Sequence, residues 1–179
     1  AIQAAQIWTS MVPGGQLTWW EQQHGLQEKG ILYDSMFISA PVPLEELRQM
    51  LVDKGGRPAV AFSTRNICHL GHDQLGAKAL AGTNLLGVNV ITGAEIPGGY
   101  DPDFIFDSYE YLIEARGLAD RVFLNNLRLP SLRAGPREAF LQAVMLQNMG
   151  FSQFIVGRDH AGVGGFYGPY AAQEYFRQG

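Results

Sequence analysis

The sequence predicts an α/β fold: a doubly wound, Rossmann-like parallel sheet preceded by an irregular N-terminal arm. Three observations lead there. Short apolar runs at residues 58–62, 85–91, 121–124 and 154–156 read as buried strands. Stretches of about 10 to 15 residues with helical spacing separate them, and this alternation implies a parallel sheet with helices on both faces. Two of the strands run directly into clusters of arginine, histidine and glycine, the kind of strand-to-loop transition at which open α/β sheets bind ligands.

Each element has its own signal. Residues 1–42 supply apolar bulk without a clear period (Trp8, Trp19, Trp20, Tyr33, Met36, Phe37), with a turn at Pro13-Gly14-Gly15. They read as an arm packed on the main domain, or as the remnant of an upstream domain; residues 43–179 form the domain itself. Leu44, Leu47, Met50 and Leu51 recur at helical spacing and Gly55-Gly56 stops the helix. The first strand, Pro58–Phe62, leads through a loop to a helix over 72–81. Leu85–Ile91 is the second strand. Asp101-Pro102 opens a helix as N-cap and first-turn proline, with Ile105, Tyr109 and Leu112 as its stripe and Gly117 as its end. Arg121–Leu124 is the third strand, a helix runs from Pro136 to Gly150, Phe154–Val156 is the fourth strand, and a last helix spans 169–177.

Composition narrows the function classes. One domain accommodates 179 residues. The net charge of −4 offers no global basic field, so neither nucleic acid nor an acidic membrane surface is an expected partner. An anionic ligand must therefore be held by local arginines and backbone N–H groups. The single cysteine, Cys68, excludes an internal disulfide framework and a cysteine-rich zinc site, and fits a reducing cytoplasm. The opening Ala1–Trp8 lacks the basic and apolar regions of a signal peptide. No apolar run reaches the ~18 to 20 residues of a membrane span.

The first chemical cluster is Ser63-Thr64-Arg65-Asn66-Ile67-Cys68-His69-Leu70-Gly71-His72. Histidines three apart at a helix start can face one bound group, and Gly71 between them lets a phosphate come close. The first-turn N–H groups add partial positive charge. Arg65 offers a rigid fork for an oxyanion. The second cluster is Gly157-Arg158-Asp159-His160-Ala161-Gly162, beyond the carboxyl end of the fourth strand. Arg158 can hold an anion, Asp159 can accept from a ribose or orient His160, and Ala161-Gly162 leaves backbone N–H groups free. The following Val163–Tyr170 is rich in glycine and aromatics and suits a mobile cover. A third segment, Arg133–Ala139, reads as a helix start with Glu138 in the first turn. Together these features suit a polyphosphate whose α–β bond is broken while charge grows on the leaving pyrophosphate. No Gly-x-Gly-x-x-Gly follows the first strand, which argues against a dinucleotide redox domain.

These residues resemble the catalytic domain of the ATP sulfurylase (sulfate adenylyltransferase) family, within the wider His-x-Gly-His nucleotidylyltransferase type. That family carries Gln-Thr-Arg-Asn-Pro-x-His-x-x-His, Ala-Gly-Pro-Arg-Glu-Ala, Gly-Arg-Asp-His-Ala-Gly and Tyr-Gly-Pro-Tyr-Asp-Ala-Gln. The matching residues are Thr64-Arg65-Asn66 with His69 and His72, Ala134 to Ala139, Gly157 to Gly162, and Tyr167 to Tyr170 with Ala172-Gln173. The resemblance implies attack of an oxyanion on the α-phosphate of ATP carried with Mg2+. Pyrophosphate leaves and a mixed anhydride forms. It implies that Thr64, Arg65, Asn66, His69 and His72 are catalytic. Ser63, Asn66, His69, His72 and Gly157 to His160 would contact nucleotide, and Ser63, Arg65, Arg158 and Ala161 the oxyanion. No metal ligand is implied in the protein.

The sequence departs from the family pattern at four points. Ser63 stands where the family has glutamine, Ile67 where it has proline and Ala171 where it has aspartate. Neither a closing Ile-Ser-Gly-Thr-x-x-Arg segment nor a PUA-like N-terminal domain is recognisable. Three readings follow: adenylyl transfer to sulfate or a related oxyanion, transfer to a larger acid (phosphonate, sulfonate or carboxylate), or a nucleotide-binding subunit without turnover. A homo-oligomer or a partner chain completing the site is compatible with each.

Overall fold

A computed structural model describes residues 6–8, 44–53, 58–93 and 98–178. Ten elements follow in order: β1 (Gln6–Trp8), α1 (Leu44–Asp53), β2 (Ala59–Thr64), α2 (Leu70–Leu80), β3 (Leu85–Ile91), α3 (Pro102–Ala115), β4 (Val122–Leu127), α4 (Pro136–Asn148), β5 (Gln153–Val156) and α5 (Ala171–Gln178). The sheet order is β1-β5-β2-β3-β4. β2, β3, β4 and β5 run parallel, and β1 pairs antiparallel with β5 through Gln6↔Val156 and Trp8↔Phe154.

Side chains alternate across the strands and build two cores. On one face Ala59, Ala61, Leu85, Leu127 and Phe154 meet Leu47 and Leu51 of α1, Ala143 and Leu146 of α4, and Ala172 of α5. On the other, Val60, Leu86, Val88 and Ile155 meet Ala79 and Leu80 of α2 and Ile105 and Tyr109 of α3. Strands covered on both faces read as near-continuous apolar runs, which is why the sequence revealed them. The doubly wound parallel architecture expected from the sequence is therefore present.

The ends of the elements differ in instructive ways. β2 runs to Thr64 and β4 to Leu127, two and three residues past the apolar runs. All of the added residues but Leu127 are polar, and the sheet satisfies some of them: the Asn125 side-chain amide donates to Asn89 Oδ1 at 2.9 Å, deep in the interior. α2 starts at Leu70 rather than 72, with His69 as N-cap. α3 starts as its sequence dictates: Asp101 accepts from the Asp103 N–H at 2.9 Å and Pro102 holds the first turn. β1 adds an antiparallel edge strand inside the segment expected to be irregular. The rest of that segment, with its Pro13-Gly14-Gly15 turn, and the Gly55-Gly56 stop lie outside the described residues. Among the described residues no helix is long and apolar enough to cross a membrane.

Candidate functional site

From β2 the chain moves outward through α2, β3, α3 and β4, then returns through α4 to β5 on the other side of β2. The direction of winding thus reverses between β2 and β5. At such a switch point the loops leaving two adjacent strands part and leave a crevice at their carboxyl ends. Both chemical clusters of the sequence leave these two strands.

The loop after β2 is short and internally bonded. Thr64 Oγ1 accepts from the Asn66 N–H at 3.1 Å, a local turn that directs Arg65 outward. The Arg65 guanidinium donates to Ser131 Oγ. His69 folds back onto its helix, its Nδ1 accepting from the Gly71 N–H at 3.1 Å. This is an N-cap made by an imidazole. The His69 and His72 rings stack at 3.8 Å between centroids. His72 is flanked by Phe62 at 5.3 Å, and its Nδ1 lies 2.9 Å from the Tyr109 hydroxyl. Burial pushes the His72 imidazole down to about 4, and the His69 ring adds to the shift. Burial likewise pushes the Tyr109 phenol up, so it keeps its proton and donates. His72 is then neutral, bonded to the Tyr109 hydroxyl on one side and to the Ile67 backbone on the other.

The loop after β5 is strained and anchored. Asp159 and Ala161 both have φ of 54°, a left-handed conformation that costs side-chain-bearing residues energy and recurs at functional sites. Asp159 N–H donates to Pro169 O at 2.7 Å, Gly135 N–H to Ala161 O at 2.9 Å, and the Gln173 amide to Val156 O at 3.0 Å. His160 is held at both nitrogens: Nδ1 accepts from the Gly157 N–H at 3.3 Å and Nε2 meets Gln142 Oε1 at 2.9 Å. Burial, then the nearby Arg65 charge, push this imidazole down to about 4. Gly135, the N-cap of α4, has φ of 53°, and a Cβ there would lie 2.6 Å from the Tyr167 ring. Only glycine fits, and Tyr167 thereby packs the following loop against α4.

The two loops meet over one polar cleft of about 190 Å³. Ser63, Thr64, Arg65, Asn66 and His72 line one side, and Gly157, Arg158, Asp159, His160 and Ala161 the other. His69, expected at the site from the sequence, is not among the lining residues; its ring stacks on that of His72. Ser63 Oγ is buried and has no hydrogen-bond partner. The Val163–Tyr170 segment lies beside this loop with Phe166 80% exposed. Several residues that shape the site escaped the sequence reading. Tyr109 read only as part of a helix stripe, Gln142 lies inside α4, and Ser131 sits in an unpatterned loop. A histidine next to a buried hydroxyl at helical register leaves no one-dimensional signal.

The ATP-sulfurylase family model matches residues 41–179. The chain belongs to the ATP-sulfurylase family. Relatives include the sulfate adenylyltransferases of Hyperthermus butylicus, 42% identical over 134 residues, and Ignicoccus hospitalis, 44% identical over 133 residues. These alignments cover 75% and 74% of this chain but 34% and 35% of the relatives. The sulfate adenylyltransferase of Chloroflexus aurantiacus is 39% identical over 131 residues, 73% of this chain and 34% of its own. The chain thus spans about a third of the length of the curated relatives it matches. In fold, it is similar to a hexameric APS kinase from Thiobacillus denitrificans, with a TM-score of 0.50 and 22% identity over 66% of this chain and 23% of that one.

Proposed function

We propose that residues 43–179 form an adenylyl-transfer domain of this family, acting on ATP and sulfate. A sulfate oxygen attacks the α-phosphorus, the α–β phosphoanhydride bond breaks, and pyrophosphate leaves with the electron pair. The product is adenylyl sulfate, and no covalent enzyme intermediate is required. The observation that carries this reading is the cleft at the β2/β5 switch point, where Arg65 and Arg158 come from opposite loops. Two guanidinium groups across a small cleft suit an anion acceptor beside a polyphosphate. Arg65 and Arg158 would hold the oxyanion, with the Ala161 N–H beside it. Thr64 and Asn66 would support the α-phosphate, and His69 and His72 would contact the phosphates. A neutral His72 acts through hydrogen bonds rather than as a cation. Rate then comes from positioning and from donors aimed at developing charge.

Mg2+ belongs to this reaction as part of the ATP substrate. Among the described residues no three of His, Cys, Asp or Glu gather to hold an ion. Substrate phosphates and water supply most of the ligands of such a cation. The unpaired Cys68 thiol supports a reducing cytoplasm as the setting.

A second reading has one observation in its favour. Ser63 is short and lines the cleft, and its buried Oγ is unpartnered. Acceptors larger than sulfate, such as a phosphonate, sulfonate or carboxylate, would find room and a donor there. The deciding experiment is pyrophosphate release from ATP and Mg2+ with a panel of acids. Turnover with sulfate supports the first reading, and turnover with a larger acid alone supports the second. ATP binding by calorimetry without pyrophosphate from any acid would make the chain a nucleotide-binding subunit.

A further inference from the structure

Glu138 is among the most buried residues of the protein, at 2% exposure, and Gln142 beside it is at 1%. Buried polar groups of this kind are costly unless every partner is in place. Here the partners form one chain. Glu138 Oε2 accepts from the Ala134 N–H at 3.1 Å, and Oε1 accepts from the Gln142 side-chain amide at 3.4 Å. The Gln142 oxygen meets His160 Nε2 at 2.9 Å, and His160 Nδ1 accepts from the Gly157 N–H at 3.3 Å. Each link fixes the direction of the next. A carboxylate only accepts, so the Gln142 amide nitrogen must face it. The Gln142 oxygen then faces His160, which must donate from Nε2. That leaves Nδ1 bare to accept from Gly157. Glu138 also settles the backbone at Ala134, next to the Gly135 N–H that holds Ala161 O at 2.9 Å. One buried carboxylate is therefore tied to both ends of the Gly157–Ala161 loop.

We infer that Glu138 and Gln142 are positioning residues for the anion-facing loop, acting on it through His160 and through the start of α4. This rests on the adenylyl-transfer reading of the cleft. Neither residue touches substrate. Their effect is to hold two left-handed residues, Asp159 and Ala161, in a geometry the backbone would otherwise relax. The sequence placed Glu138 in a helix's first turn, where its charge favours the helix dipole. The structure assigns it a longer reach, because its side chain turns inward.

The test uses the full chain and two substitutions. Gln142→Leu keeps the volume and removes both links. Gln142→Glu keeps an oxygen toward His160. Its own proton, shared with Glu138, restores the second link while it is bound, since two adjacent carboxyls do not both ionise easily. The first readout is the imidazole tautomer of His160, by long-range nitrogen–proton NMR. The expected wild type is the neutral Nε2–H form, and Gln142→Leu should mix the tautomers. The second readout is pyrophosphate release. Gln142→Leu should raise the KM for the acceptor on the order of 10- to 100-fold, with a smaller change in kcat, as misplacement of a binding loop does. Gln142→Glu should approach wild type at low pH and move toward Gln142→Leu as pH rises and the shared proton leaves. Circular dichroism confirms that each variant folds. A Gln142→Leu protein with His160 unchanged overturns the relay. A shifted His160 with unchanged KM and no pH signature in Gln142→Glu leaves only a structural role and overturns positioning. An intact wild-type relay with no turnover for any acid overturns the adenylyl-transfer reading, and the positioning role with it, while the hydrogen-bond chain itself stands.

Discussion

The Tyr109 hydroxyl and His72 Nδ1 lie 2.9 Å apart, joining the middle of α3 to the first turn of α2. Tyr109 is 3% exposed, so this hydroxyl has been taken out of water, and bonds to His72 and Thr64 return the cost. The bond to His72 holds its ring against α3 at the edge of the cleft. Tyr109→Phe should destabilise the fold by at least about 1 kcal/mol, the ordinary worth of one such bond. It should also lower kcat, because His72 is then free to turn. Thermal unfolding and pyrophosphate release on the same sample separate the two effects. An unchanged kcat would mean that His72 orientation is set by Phe62, His69 and the Ile67 backbone alone.

The two buried imidazoles predict an acid sensitivity above the carboxylate range. His72 and His160 are each held near 4 in the fold, below the ordinary 6.5. The unfolded chain therefore binds protons at both positions that the fold refuses, over the window from about pH 6.5 down to 4. The stability they permit is complete above the ordinary value and is lost as pH falls through that window. Unfolding midpoints should drop between pH 7.5 and 5, before aspartates and glutamates protonate. His160→Gln should flatten part of that drop. A level profile across this range would show that neither ring resists protonation.

Arg65 and Ser131 separate charge from placement. On the proposed reading, Arg65→Ala removes a cationic donor from the cleft wall and should cut turnover by about 10²- to 10³-fold, the scale of losing one such group. Ser131→Ala removes only the hydroxyl that receives the guanidinium. It should cost less than tenfold, a loss of about 1 kcal/mol. Both proteins should unfold near the wild-type temperature. Comparable losses in the two would make Ser131 a substrate contact in its own right.

Ser63 offers a prediction in the opposite direction for stability. A buried hydroxyl without a partner is a net cost, so Ser63→Ala should leave the unfolding temperature unchanged or raise it slightly. A clear drop would reveal a partner for the hydroxyl. Ser63→Gln fills the same part of the cleft. It should move the ratio of sulfate to larger-acid turnover toward sulfate, and a ratio that does not move would remove Ser63 from acceptor selection.

The strand core was legible because parallel strands covered on both faces must be apolar, and the same rule explains where legibility failed. Apolar runs stop at Phe62 and Leu124, while the strands continue through Ser63-Thr64 and Asn125-Asn126. The carboxyl ends of a ligand-binding sheet carry polar side chains, so the strand pattern fades where the site begins. Both loops were visible because arginine, histidine and glycine concentrate in them. Their supports were not. Tyr109, Gln142 and Glu138 occupy ordinary helical positions, and their importance comes from contacts 18 to 37 residues away in sequence, or in the case of Glu138 from a side chain that turns inward. β1 is only three residues long and pairs with a strand near the other end of the chain, beyond the reach of any local pattern.

That short strand has a bearing on how the protein can be handled. β5 carries the Gly157–Ala161 loop, and Gln6–Trp8 closes the ladder along its outer side. Without those three residues the backbone groups of β5 would face solvent as an open template for another chain. A change that breaks the Gln6–Trp8 pairing is thus made next door to the Gly157–Ala161 loop. Variants that differ only in this pairing should differ in their tendency to self-associate and in how firmly that loop is held.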